Sequence, residues 1–105
     1  MYKLIYFVPD THVAITKSSI FATGGGQLGE YSECCWTTLG TGQFRPSTAA
    51  HPTLGTKGEL TQVSEYRVEI LVAKDNIREA IAALKQAHPY EVPAFEVIAL
   101  VEGLD

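Results

Sequence analysis

Residues 63–73 read VSEYRVEILVA, in which apolar and charged side chains alternate almost without a break. Successive side chains of an extended strand point to opposite faces of its sheet, so the two kinds of residue occupy different faces. The inward face carries Tyr66, Val68, Ile70 and Val72, and the other face carries Glu65, Arg67 and Glu69. The pattern predicts a strand with one buried face, and it is the clearest strand signal in the chain.

The residues before this strand predict two more strands and a helix. Residues 2–8 are apolar on both alternating faces, as in a central strand covered on both sides. A helix follows, with Asp10 or Thr11 as its cap and the glycines at 24–26 as its end. Residues 31–39 have the composition of the second strand.

The residues after the strand complete the fold. Asp75 is predicted to cap a second helix, and Pro89 ends it. Residues 94–101 form the last strand. The order strand, helix, strand, strand, helix, strand predicts a single α+β domain over residues 1–105 with a ferredoxin-like βαββαβ fold, in which two helices cover one face of a four-stranded antiparallel sheet.

A long connection at about residues 40–60 interrupts this pattern. It contains most of the residues that break regular structure in this part of the chain, namely Gly40, Gly42, Pro46, Pro52, Gly55 and Gly58. Connections of that length are uncommon in compact domains and are usually functional or ordered by a partner. Since a ferredoxin-like sheet also leaves unpaired edge strands, we expect the protein to self-associate.

Composition excludes several classes of partner. The net charge is −4 and the eight basic residues are scattered, which argues against nucleic acid. No apolar run approaches the roughly 20 residues that span a bilayer, and the first residues lack a signal-peptide cleavage site, so we expect a cytoplasmic protein without a membrane segment. The adjacent Cys34 and Cys35 point to opposite faces of a strand and predict neither a zinc pair nor a disulfide.

The topology places all three histidines at one edge of the sheet. His12 follows the first strand, His51 lies in the long connection and His88 precedes the last strand. Imidazoles favour zinc, copper or nickel over calcium or magnesium, so these three residues are the candidate ligands of a divalent transition metal. Their spacing is not that of a compact metal motif, which favours separate hydrogen-bonding roles in turns or caps over a metal site.

Three further residues are candidate ligand contacts. Arg45 has the planar donor group that binds anions, although it is equally able to pair with an acidic side chain. Tyr90 and Glu91 lie at the same sheet edge, where Tyr90 has packing as its alternative role. No catalytic triad is present, and the glycines at 24, 26 and 29 follow a helix instead of opening one, which excludes a dinucleotide-binding loop.

Five stretches resemble the Nif-three-like, or YqfO-like, family: GQLGEYSEC at 26–34, GTGQFRP at 40–46, PTLG at 52–55, EYRVE at 65–69 and AHPYE at 87–91. The resemblance covers nearly the whole chain, but it falls on the domain inserted in the middle of the longer members. The flanking halves of those members carry a di-metal centre, and its motifs have no counterpart here. The resemblance therefore does not imply their hydrolase activity for this chain.

The inserted domain of that family is similar to PII and CutA proteins, which are ferredoxin-like trimers. The tail HPYEVP at 88–93, followed by IAL at 98–100, also resembles the end of CutA proteins. The resemblance implies a small homotrimeric binding or regulatory module whose ligand is unknown. The alternative is a divalent metal-ion binding or tolerance protein in the CutA manner, and a metal-dependent hydrolase is the least favoured function. No PII nucleotide motif can be matched.

Overall fold

Residues 1–104 are described by a computed structural model. The chain forms four strands and two helices: β1 (Tyr2–Pro9), α1 (Val13–Ala22), β2 (Trp36–Phe44), β3 (Thr61–Val72), α2 (Ile77–Ala87) and β4 (Phe95–Ala99). The strands make one antiparallel sheet in the order β2-β3-β1-β4. The predicted α+β, ferredoxin-like βαββαβ fold is confirmed.

The core lies between one face of the sheet and both helices. Alternate residues of β1 and β3 pair across the strands and are fully buried, as in Leu4 opposite Ile70 and Tyr6 opposite Val68. Ile20 of α1 and Leu84 of α2 pack against them. The opposite face of the sheet carries no helix, yet β1 is an inner strand and Ile5 on that second face is also buried, whereas Lys3 and Phe7 are half-buried.

The buried Tyr6 is the one core side chain with a hydroxyl in the middle of the sheet. It donates to Oγ1 of Thr16 in α1 at 2.9 Å, and Thr16 in turn donates to the carbonyl of His12 at 2.7 Å. Burial raises the pKa of Tyr6 to about 12, against the smaller opposing effect of the Thr16 hydrogen bond. The pair satisfies two buried polar groups and fixes α1 against β1.

Both helices begin differently from the sequence prediction. Short 3-10 turns, Asp10–His12 and Lys74–Asn76, precede α1 and α2, and no side chain caps either helix. Asp10, Thr11 and Asp75 are therefore not caps. The reason is that each strand passes directly into a 3-10 turn whose own backbone bonds satisfy part of the helix start. Within residues 1–104 no helix is long and apolar enough to cross a bilayer.

The second strand begins at Trp36, five residues later than predicted. Residues 24–35 form an irregular loop because Leu28 and Tyr31 exchange backbone hydrogen bonds across a tight turn. Gly26 anchors this loop: its N–H donates to Leu71 O at 2.8 Å and its carbonyl accepts from Cys34 N at 2.9 Å. The strand then continues to Phe44, which shortens the long connection to residues 45–60.

The two ends of the described chain lie side by side. Since β1 and β4 are antiparallel neighbours, the start of β1 faces the end of β4, and Leu100 N donates to Met1 O at 3.1 Å. The Met1 ammonium also lies 2.8 Å from the carboxylate of Glu102, and this ion pair holds the pKa of Glu102 below its usual range.

Candidate ligand-binding cavity

A cavity of about 600 Å³ opens on the sheet face that the helices leave uncovered. Thr38 and Arg67 pair across β2 and β3, and Phe7 pairs with Arg67 across β1 and β3, so the three side chains share that face. All three line the cavity. It lies at the end of the sheet where β1 ends and β3 begins, the same edge at which the sequence placed the candidate residues.

Two glycines of β2 create the floor of the cavity. Gly40 pairs with Glu65, and a Cβ at Gly40 would meet no atom within 4 Å. Gly42 is covered by the Glu65 carboxylate, into which a Cβ at that position would project. The absence of a side chain thus leaves open volume above Gly40 and makes room for the Glu65 carboxylate above Gly42.

Two segments wall the cavity. One is the connection after β2, which contributes Pro46, Ala50 and residues 52–54, and the other is the segment 90–94 before β4. The backbone N–H of His51 donates to Oε1 of Glu91 at 3.1 Å and joins them. The rings of Phe44 and Tyr90 also approach across the gap, with centroids 6.3 Å apart.

His88 fastens the second wall to the sheet. It is only 6% exposed, and its ring makes two hydrogen bonds. Nε2 donates to Phe7 O at 2.6 Å, and Nδ1 accepts from Tyr90 N at 3.2 Å, which fixes a neutral imidazole with its proton on Nε2. Burial lowers the pKa of His88, and the hydrogen bond to Phe7 opposes that effect.

The Tyr90 hydroxyl is the unsatisfied polar group of the site. It is buried and has no hydrogen-bond partner. The Glu65 carboxylate lies close enough to the hydroxyl to favour the protonated phenol. Burial first, and Glu65 second, raise the pKa of Tyr90, so the phenol keeps its proton at neutral pH. A buried hydroxyl without a partner is costly and rare in folded proteins.

The charges of the site are unevenly compensated. Nε of Arg67 lies 3.6 Å from the Glu69 carboxylate, and the same carboxylate lies 3.5 Å from Nζ of Lys3. The guanidinium of Arg67 also lies 5.9 Å from the centre of the Phe7 ring. No basic group among the described residues is within 4 Å of the Glu65 carboxylate. Negative charge therefore dominates the cavity.

The structure does not assemble the predicted metal ligands within one chain. Both ring nitrogens of the buried His88 are already hydrogen-bonded, and Nδ1 of His12 lies 2.8 Å from Oγ1 of Thr11. His51 contributes its backbone N–H instead of its ring. Across residues 1–104, no group of three or more His, Cys, Asp or Glu side chains is placed to hold a metal. Metal binding by His12, His51 and His88 stays a prediction.

The other candidates separate into two groups. Arg45 donates from Nη1 to Gly58 O at 3.0 Å and does not line the cavity, so it braces the connection instead of facing an anion there. Tyr90 and Glu91 do line it, and their contact with a ligand stays a prediction. Glu65 and Arg67 were missed as site residues, although their period-two placement on the non-core face of an inner strand was the available signal.

Relatives of this chain are much longer proteins. No protein-family model matches it. It is 41% identical over 99 residues to a GTP cyclohydrolase 1 type 2 homolog of Mycobacterium leprae, covering 94% of this chain and 26% of that protein. The homolog of Halalkalibacterium halodurans is 36% identical over 100 residues, covering 95% of this chain and 27% of that protein. The chain thus spans about a quarter of the length of these relatives.

Solved structures agree with both the fold and the homology. A Bacillus cereus protein related to NIF3 matches with a TM-score of 0.83 at 34% identity, over 96% of this chain and 26% of that protein. The PII-like protein CutA from Nostoc sp. PCC 7120 matches with a TM-score of 0.63 at 19% identity, over 95% of this chain and 81% of that protein. The periplasmic divalent cation tolerance protein CutA from Archaeoglobus fulgidus matches with a TM-score of 0.69 at 15% identity. This match covers 99% of this chain and 88% of that protein.

The two CutA likenesses are at low identity and show a shared fold alone. The likenesses to the cyclohydrolase homologs and to the NIF3-related protein are closer and extend along nearly the whole chain. The chain is therefore homologous to one segment, about a quarter of the length, of the GTP cyclohydrolase 1 type 2 homologs, and this segment has the fold of the CutA proteins.

Proposed function

We propose that this chain is a small, self-associating binding module whose ligand occupies the cavity at the open face of the sheet. The observation that carries the proposal is the cavity itself. Its volume of about 600 Å³ lies within the range of small-molecule sites, roughly 300 to 1,000 Å³. Apolar walls with a few convergent polar groups are also typical of such sites.

The polar groups of the cavity support the same function. The Tyr90 hydroxyl has no partner, and the Glu65 carboxylate has no cation nearby. The backbone fixes the position of both residues. Glu65 lies on an inner strand of the sheet, and the backbone N–H of Tyr90 donates to the ring of His88. A bound molecule would satisfy groups that the protein alone leaves open.

A variant that fills the cavity tests the binding function. Gly40→Leu places a side chain in open space on a strand with ordinary backbone conformation, so the fold should persist while the cavity closes. Thr37→Leu is the matched control, since Thr37 is exposed on the same strand and does not line the cavity. In a thermal-shift screen of aromatic fragments, we expect hits for the parent and Thr37→Leu that disappear for Gly40→Leu. Hits that survive in Gly40→Leu would place binding elsewhere.

Self-association is supported by the exposed edges of the sheet. β2 pairs only with β3 and β4 only with β1, so each has a free edge of backbone donors and acceptors. Large apolar side chains stand exposed on these strands, among them Trp36 at 68% and Leu39 at 61% on β2, and Ile98 on β4. We propose that further copies of this chain cover these edges in a homotrimer, as the resemblance to PII and CutA proteins implies.

Light scattering on a sizing column tests the trimer. The parent should elute with about three times the chain mass of 11.4 kDa. Trp36→Lys should lower that mass, because a charge would replace an exposed indole at the proposed interface. Ile15→Lys is the control, since Ile15 is 53% exposed on α1, away from the edges. A mass of one chain at every concentration would exclude self-association.

The cyclohydrolase activity named for the relatives is not proposed for this chain. The chain spans a quarter of their length, and the motifs of the di-metal centre that the family resemblance implies have no counterpart in the sequence. A cytoplasmic location remains a proposal, and the free state of Cys34 and Cys35 supports it.

A further inference from the structure

One carboxylate that lines the cavity, that of Glu65, has no basic side chain of residues 1–104 within 4 Å. Glu65 is half-buried on β3, its carboxylate lies over Gly42, and the nearest basic side chain that lines the cavity, Arg67, pairs with Glu69 instead. A partly buried carboxylate is normally paired or hydrogen-bonded, because leaving water is costly for a charge. Its position at the floor of a cavity makes it an acceptor directed at whatever occupies that space.

The second polar group is next to the first. The Tyr90 hydroxyl is buried without a partner beside Glu65, and it stays protonated. A phenol oxygen accepts as well as donates hydrogen bonds. With its proton directed at the Glu65 carboxylate, the Tyr90 hydroxyl still offers its oxygen, so the two groups present adjacent acceptors to a molecule that carries more than one N–H donor.

The shape and the apolar lining select a flat molecule. Rings of Phe7, Phe44 and Tyr90 line the same cavity, and Pro46 and Pro52 add rigid apolar surface. Aromatic side chains favour stacked or edge-to-face contacts with a flat ring. Gly40 leaves open space above β2, so a ring can lie close to the strand there, beside the Glu65 carboxylate that covers Gly42.

The charges disfavour an anion. Arg67 is the only basic residue among those that line the cavity, and it is held by Glu69. Arg45 donates to a carbonyl in the connection and does not reach the cavity lining. Glu65 and Glu91 both line the cavity, so a phosphate or carboxylate there would face two like charges and a single cation, Arg67, whose Nε lies 3.6 Å from the Glu69 carboxylate.

We propose that the cavity binds a planar aromatic or heteroaromatic molecule with an N–H-rich, cationic edge of the amidine or aminoheterocycle type. The N–H groups donate to the Glu65 carboxylate and to the Tyr90 hydroxyl oxygen, and the ring lies among Phe7, Phe44 and Tyr90. This inference rests on the binding function proposed above and specifies the chemistry of its ligand.

Two probes of the same size and opposite charge test the inference. Benzamidine carries a planar amidinium and benzoate a planar carboxylate on the same ring, and both are titrated into the protein by calorimetry. We expect saturable binding of benzamidine and none of benzoate. Glu65→Gln should weaken benzamidine binding by about tenfold or more, since a charge-assisted hydrogen bond is lost. Glu59→Gln is the control, because it removes the same charge from an exposed residue outside the cavity.

The outcomes separate the ligand class from the binding function. Benzoate binding as tightly as benzamidine, or a Glu65→Gln variant that is folded and binds benzamidine like the parent, would overturn the proposed class. If aromatic fragments bind the parent but not Gly40→Leu, the cavity remains a binding site, and its ligand belongs to another chemical class. If neither probe nor any fragment binds, both proposals fail. The melting temperature of each variant shows whether a lost signal reflects unfolding.

Discussion

Gly26→Ala should destabilise the protein by about 3 kcal/mol or more, well beyond the cost of replacing an ordinary glycine. The backbone at Gly26 has φ +82°, and a Cβ there would lie 3.0 Å from both the N and O atoms of Cys34 and 2.9 Å from Cε1 of Phe21. Two of these contacts are with backbone, which cannot rotate away. The loop would have to shift and would strain the hydrogen bond from Gly26 N to Leu71 O.

Gly29→Ala is the matched control for this prediction. Gly29 also has a positive φ, +57°, but a Cβ there would meet no atom within 4 Å. Only the backbone preference is lost, so we expect a cost of about 1 kcal/mol. Chemical denaturation of the two variants and the parent measures the difference. Equal losses in both variants would show that backbone conformation, and not crowding by Cys34 and Phe21, sets the requirement for glycine at position 26.

Acidification should weaken the fold through His88. In the folded protein burial lowers the pKa of His88, whereas the unfolded chain takes up the proton near the ordinary value of 6.5. The unfolded state thus binds more protons as the pH falls below about 6.5, and the free energy of unfolding decreases until the lowered pKa of the folded state is passed. Above about pH 6.5 this contribution is fully present. Protonation of Nδ1 would also remove its hydrogen bond from Tyr90 N.

Removal of the ring tests the same residue. His88→Ala leaves Phe7 O and Tyr90 N without their partners and opens a small void, and we expect a loss of about 2 to 4 kcal/mol at neutral pH. The pH dependence between 5 and 7 should become shallower in the variant. His51→Ala serves as the control, since His51 is exposed and contributes only its backbone N–H. Thermal melts at several pH values that coincide for parent and His88→Ala would contradict the assigned role.

The sequence was most informative where the hydrophobic pattern was regular. The alternation along β3 predicted its buried face correctly, because Val68, Ile70 and Val72 are all buried in the core. The order of elements then predicted the ferredoxin-like fold. The start of β2 was misplaced because residues 31–35 have strand-like composition but belong to a loop that Gly26 joins to Leu71, a long-range contact that local propensity does not contain.

The sequence predicted the location of the site but not the contacts between its side chains. Topology correctly brought the connection after β2 and the segment after α2 to one edge, where His51 N meets Glu91. It did not predict that Glu65 would lie beside Tyr90, because that depends on the register of β2 against β3, which sets Gly40 opposite Glu65. Both metal binding and a hydrogen-bonding role in a turn were left open for His88, because sequence shows a side chain's donors and acceptors without showing which of them the fold uses.

The neighbouring ends of the described chain have a consequence for how this unit fits into larger proteins. A polypeptide enters the sheet at Met1 and leaves it at Leu100, and the backbones of these two residues are joined by a 3.1 Å hydrogen bond. A host protein can therefore accept the whole unit in a single surface loop without its own strands being pushed apart, which is the geometry required of a segment that occupies a quarter of a longer relative.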